Sequence, residues 1–287
     1  MIGTKLPIAR HASQLREAVQ HWRRRGQTVA LVPTMGGLHE GHLALVALAR
    51  RHARRVVVST FVNPAQFAPH EDYDNYPRSE ERDWRKLNAA RVDLMYAPNL
   101  AEIYPDDFST RVEVAEITQT LEGISRPHFF AGVTTVCAKL FLQCLPDFAV
   151  FGEKDYQQLL VIKRLVKDLN FPLEIIAGPT VREKDGLALS SRNVYLTEAE
   201  RSVAPLLYAV LEDMAEDLGA GREIEDAIMQ GRFRLEQSGF RIDYLQVRSA
   251  DALTPFDDIV TGPGRVLAAV YLGRTRLIDN VAVTPVE

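Results

Sequence analysis

Short apolar runs alternate with amphipathic stretches through the first two thirds of the chain. The runs are 28–33 (TVALVP), 56–61 (VVVSTF), 92–97 (VDLMYA), 148–152 (FAVFG) and 173–177 (LEIIA). Continuous β-branched runs of this length suit strands buried on both faces. The segments between them, 41–54, 79–90, 133–145 and 156–169, have the spacing of helices. Ser79 offers a cap for the second of these, with Arg82 instead of an acid at the third helical position. Strands alternating with helices predict an α/β domain with a parallel sheet covered on both faces. Right-handed crossovers then gather the loops that follow the strands along one edge.

Beyond about residue 180 the pattern changes. A long helical stretch begins at Thr197, and Pro205 inside it predicts a kink or break. A second helix is expected at about 223–238. Three alternating segments, 243–248, 266–272 and 277–283, predict antiparallel strands, with Gly273-Arg274-Thr275 as a hairpin turn. The second domain is therefore small and α+β, with its boundary near Pro179–Arg182.

Composition narrows the function. Of 287 residues, 34 are Lys or Arg and 38 are Asp or Glu, for a formal net charge of -4. That balance gives no broad electrostatic footprint for nucleic acid. Two cysteines exclude a disulfide-dense scaffold. Cys137 and Cys144, on one expected helix, read as core residues. His11, His21, His52 and His70 read as surface residues. No apolar run approaches the roughly 20 residues of a membrane span, and the N-terminal segment lacks the apolar core of a signal peptide. The expectation is a cytoplasmic protein with neither nucleic acid nor membrane as partner.

Candidate chemistry concentrates where strands give way to helices. Pro33-Thr34-Met35-Gly36-Gly37-Leu38-His39-Glu40-Gly41-His42 leaves the first expected strand and enters the first helix. Its glycines let backbone approach a bulky anion, and the helix start supplies free N–H groups. His39 and His42 can face one ligand, and the helix N-terminus favours the neutral imidazole. Alone, His-x-x-His fits a glycine-rich turn with two surface histidines. Zinc would need a third ligand that is not obvious here.

A second such segment is Gly152-Glu153-Lys154-Asp155-Tyr156-Gln157-Gln158. Lys154 is a point charge for a phosphate, Asp155 suits a ribose hydroxyl or the lysine, and Gln158 lies one turn further on. In Lys184–Asn193, Ser190, Ser191 and Arg192 can grip a triphosphate, and Gly186 permits mobility. Asn63 and Gln66 offer amides to a small polar substrate. Arg126 is an anion contact or a surface cation. Each segment by itself also fits an ordinary polar loop.

Together these segments resemble the pantothenate synthetase (pantoate–β-alanine ligase) family. Residues 33–42 look like its His-x-Gly-His nucleotidyltransferase signature. Residues 61–67, 152–158 and 184–193 match its other motifs in order, and 272–280 (LGRTRLIDN) matches its C-terminal ending. The third of these looks like the mobile Lys-Met-Ser-Lys-Ser loop of related synthetases. The chain departs at Arg126-Pro127-His128-Phe129-Phe130, where His128 is displaced by one position from the family's Arg-Pro-x-His-Phe. Leu189 stands where some members carry methionine.

The resemblance implies a Rossmann-like domain over 1–180, a smaller α+β C-terminal lid over 181–287, and a homodimer. It implies condensation of (R)-pantoate with β-alanine, using ATP and Mg²⁺, through a pantoyl adenylate. ATP would meet Met35, Gly36, Gly37, Leu38, His39, Glu40, Gly41 and His42, then Gly152, Glu153, Lys154 and Asp155. Val181, Leu189, Ser190, Ser191 and Arg192 would complete that site. His42, His39, Lys154 and Arg192 would serve catalysis, Gln66 and Gln158 would hold pantoate, and Gln66 would border β-alanine. Another nucleotidyltransferase with a phosphorylated acceptor is the alternative enzyme. A nucleotide-binding regulatory module without turnover is the alternative of a different class.

Overall fold

The computed structural model describes residues 5–68 and 71–285. The chain divides into two compact units, one of Met1–Glu153 with Val161–Pro179 and one of Lys154–Leu160 with Thr180–Glu287.

The first unit holds β1 (Ile8–Ala9), α1 (Ala12–Arg23), β2 (Val29–Thr34), α2 (Glu40–His52), β3 (Arg55–Thr60), α3 (Glu80–Ala89) and β4 (Leu94–Tyr96). It continues through α4 (Leu100–Ile103), α5 (Glu122–Ser125), α6 (Phe129–Cys144) and β5 (Phe148–Gly152). Helix α7 (Tyr156–Asp168) begins in the second unit and finishes in the first, which ends with β6 (Glu174–Gly178). The six strands form one parallel sheet in the order β1-β4-β3-β2-β5-β6. Val29, Ala30, Leu31 and Val32 are fully buried, as a central strand covered on both faces must be.

The hydrophobic pattern anticipates the last five strands to within two residues. It assigns nothing before Thr28, where the structure has two elements. Strand β1 pairs only Ile8 with Met95 and Ala9 with Tyr96. Helix α1 buries Leu15, Val19 and Trp22 along one stripe. Helix α6 starts at Phe129, four residues before the expected 133, because it runs through Gly132 without a break. It buries both cysteines, and burial pushes both thiols up to about 12. His11, His21 and His52 are exposed. His70 lies outside the described residues.

The second unit contains α8 (Glu198–Val203), α9 (Leu206–Gly219), α10 (Ile224–Gln237), β7 (Arg241–Ser249), β8 (Gly264–Leu272) and β9 (Thr275–Val283). Its three strands are antiparallel in that order. The expected break at Pro205 is the gap between α8 and α9. Gly273 turns β8 into β9 with φ +57, and Thr275 is already strand. Leu207, Leu211, Leu218 and Leu235 from the helices pack with Val266, Val270 and Leu277 from the sheet. Among the described residues, no helix is long and apolar enough to cross a membrane.

Candidate active site

Strand β2 ends at Thr34, whose hydroxyl donates to the Ser59 carbonyl at 2.7 Å and accepts from the Gly36 amide at 3.2 Å. Gly36 and Gly37 follow with φ +82 and +61, a region that glycine enters without steric cost. Helix α2 then begins under a double cap. The Gly41 amide donates to His39 Nδ1 at 3.2 Å, and the His39 amide donates to His42 Nδ1 at 3.3 Å. The rings lie 4.1 Å apart, tilted by 37°. Because both Nδ1 atoms accept, the proton of each neutral ring sits on Nε2, and each ring can donate from there. The cap itself selects the Nε2–H tautomer.

Helix α3 supplies two residues that sequence reasoning missed. Asp83 accepts from the Gly37 and Leu38 amides, both at 2.9 Å, and Lys86 Nζ donates to the Leu38 carbonyl at 2.5 Å. Asp83 is 5% exposed. Burial raises its carboxyl above the ordinary 3.8 despite both amide bonds. The available signal was an acid one turn from the core residue Leu87, on the face that a helix turns inward. Ser79 occupies the position before this helix but makes no side-chain cap.

At the end of β3, Asn63 is fully committed. Its Nδ2 donates to Gln66 Oε1 at 2.9 Å and to the Gly132 carbonyl at 3.0 Å. Its Oδ1 accepts from the Ala65 amide at 3.2 Å and the Tyr104 hydroxyl at 3.0 Å. An amide has two donors and two lone pairs, so Asn63 is a scaffold for Gln66 and does not itself offer an amide to substrate. Arg126 is not a surface cation, since its side chain is 12% exposed. It donates to both Glu71 carboxylate oxygens, at 2.7 and 2.8 Å, and to the Gln66 carbonyl at 2.8 Å. It therefore ties the candidate pantoate loop down from inside. Gly152 ends β5 and Glu153 opens the short turn after it.

The remaining candidates belong to the second unit. Lys154 and Gln158 are half-buried and Asp155 is exposed. Residues 181–189 form a tight hairpin, in which the Leu189 amide donates to the Val181 carbonyl at 2.9 Å. Ser190 then caps the turn Ser191–Tyr195 by accepting from the Arg192 amide at 3.3 Å. Gly186 has φ +96, and a Cβ there would lie 2.7 Å from the Tyr208 ring. The glycine answers a turn and a close approach. His128 stays half-buried, with Nε2 lacking a hydrogen-bond partner.

The family model for pantoate–β-alanine ligase matches residues 7–282 of this chain. The chain belongs to the pantoate–β-alanine ligase family. A pantothenate synthetase of Rhodopseudomonas palustris (strain HaA2) is 53% identical over 277 residues, 96% of this chain and 98% of the relative. That of Rhodospirillum rubrum is 53% identical over 279 residues, 97% of this chain and 99% of the relative. The pantothenate synthetase structure from Thermus thermophilus superposes with TM-score 0.92 at 48% identity, covering 98% of this chain and all of that one. A Francisella tularensis pantoate–β-alanine ligase, complexed with beta-gamma ATP and β-alanine, superposes with TM-score 0.82 at 34% identity and covers 96% of this chain and 97% of that one. The likeness spans both the parallel-sheet unit and the antiparallel one, so the chain is an enzyme of this ligase family with its fold.

Proposed function

We propose that the chain condenses (R)-pantoate with β-alanine in two steps. The pantoate carboxylate attacks the α-phosphorus of ATP and expels pyrophosphate. The β-alanine amine then attacks the acyl carbon of pantoyl adenylate and expels AMP, losing a proton as the amide forms. Negative charge grows on the phosphates in the first step, and donors already aimed at it stabilise the transition state. The double histidine cap at the start of α2 carries the reading. It fixes two imidazole rings beside a glycine loop at a helix N-terminus, each with Nδ1 committed to a backbone amide.

ATP is assigned to Met35–His42, Gly152–Asp155, Val181 and Leu189–Arg192. His42, His39, Lys154 and Arg192 act on the phosphates. Gln66 and Gln158 hold pantoate, with Gln66 also bordering β-alanine. Among the described residues no three His, Cys, Asp or Glu side chains cluster as a metal site. Mg²⁺ typically keeps its waters and binds substrate phosphates with few protein ligands, so it belongs here to the MgATP substrate. The family implies a cytoplasmic homodimer, which light scattering on the purified protein checks for assembly.

The test is pyrophosphate release from ATP and pantoate, with and without β-alanine. A stoichiometric burst without β-alanine and turnover with it is expected. His42→Ala should cut the burst rate by about 10²–10³, the scale for one preorganised donor. Release independent of pantoate, or near-normal rates in His42→Ala, would refute the assignment.

A further inference from the structure

Strand β9 interrupts its apolar pattern with two adjacent polar residues, Asp279 and Asn280, which are 3% and 4% exposed. Neighbours on a strand point to opposite faces. Asp279 lies opposite Ala268 and Asn280 opposite Leu267. Asp279 thus shares the core face with Val266, Val270 and Leu277, and Asn280 the other face.

Each holds a different loop. Arg182 forks onto Asp279 at 2.6 and 2.9 Å, lies 3.6 Å from the centre of the Tyr208 ring, and donates to the Gly186 carbonyl at 3.1 Å. That grip closes the 181–189 hairpin, which runs directly into Ser190. On the opposite face, Asn280 Nδ2 donates to the Lys154 carbonyl at 3.0 Å. Asn280 Oδ1 accepts from Arg265, whose guanidinium covers the Tyr156 ring at 3.7 Å. The Tyr156 hydroxyl in turn donates to the Ala250 carbonyl at 2.7 Å.

Burying a carboxylate on the core face of a small sheet is a poor route to stability, since an apolar residue of like volume often serves as well. A bidentate fork does fix geometry. We propose that Asp279 and Asn280 are positioning residues, through which one strand sets the Ser190–Arg192 segment and the Lys154 turn at a fixed spacing for ATP. This rests on the assignment of ATP to those two segments. Neither residue touches the reacting atoms. Asp279 acts through Arg182, and Asn280 acts on the backbone of Lys154.

The experiment measures pantoate-dependent ATP–pyrophosphate exchange, KM for ATP and for pantoate, and amide formation from preformed pantoyl adenylate. Arg182→Gln and Asn280→Ala should each lower exchange by about 10- to 100-fold, the scale of a small misplacement. Each should raise KM for ATP, leave KM for pantoate unchanged, and keep amide formation from the preformed adenylate. Arg182→Gln leaves a buried carboxylate alone and can fail to fold. Asn280→Ala removes a neutral amide and strands no carboxylate, with the Arg265 guanidinium still covering the Tyr156 ring, and carries the test in that event. Arg192→Ala and Lys154→Ala separate the two readings. If neither lowers exchange, the assignment of ATP fails. If both do, but Asn280→Ala exchanges normally or raises both KM values alike, the positioning role is overturned.

Discussion

Asp83 brings a negative charge beside a loop proposed to meet phosphates. Its two backbone partners account for it: without an acceptor, the buried Leu38 amide and the half-buried Gly37 amide would lose their bonds. The carboxyl is nevertheless raised above 3.8, because loss of hydration outweighs the amide bonds. A raised value means that the folded state holds the proton more tightly than the unfolded chain. Stability from this group is then fully present below 3.8 and is lost as pH rises through the raised value. Asp83→Asn keeps one acceptor, turns a donor toward an amide, and does not titrate. It should destabilise the protein by about 1–3 kcal/mol at neutral pH. The wild-type advantage should widen toward pH 4, as followed by urea unfolding across pH. An advantage that narrows there would mean that the amide bonds, not burial, set the carboxyl.

At the scale of elements, the contact between α6 and the loop after β3 depends on one missing methyl. A Cβ on Gly132 would sit 2.3 Å from the Ala65 carbonyl oxygen. Helix propensity favours alanine over glycine by about 1 kcal/mol, while overpacking typically costs about 1–3 kcal/mol. Gly132→Ala should therefore lose stability in thermal unfolding and raise KM for pantoate, because the segment displaced carries Gln66. A gain in stability would show that the loop yields. The same contrast between near and far explains what was legible beforehand. Strands β2 to β6 and the histidine-capped loop are written in consecutive residues, and so were readable. The stripe of α1 was present at Leu15, Val19 and Trp22 but diluted by polar neighbours, and β1 is too short to show a period. Asp83 serves amides 45 and 46 residues away, and Arg182 finds Asp279 across 97. No local pattern records such pairings. Asn63 misled for the opposite reason: its residue type suits a substrate, but the fold uses all its bonds.

For the whole molecule, chain order and compact units do not coincide. Lys154–Leu160 joins the second unit while the residues on either side join the first. A cut after Pro179 therefore leaves 1–179 with a segment whose partners are gone, and leaves 180–287 without the backbone that Asn280 holds. The fragment 1–179 should unfold in urea with a smaller m-value than its length implies. A full m-value would show that 154–160 is dispensable to it. The sheet order has a consequence for synthesis as well. Strand β2 is central only once β5 arrives, and Ala30 must wait for Phe148. At about 5–20 residues per second on the ribosome, that wait is on the order of ten seconds. Through that interval the most apolar strand of the nascent chain is an open edge, so each new copy depends on something other than its own sheet to keep neighbours on a polysome from pairing with it.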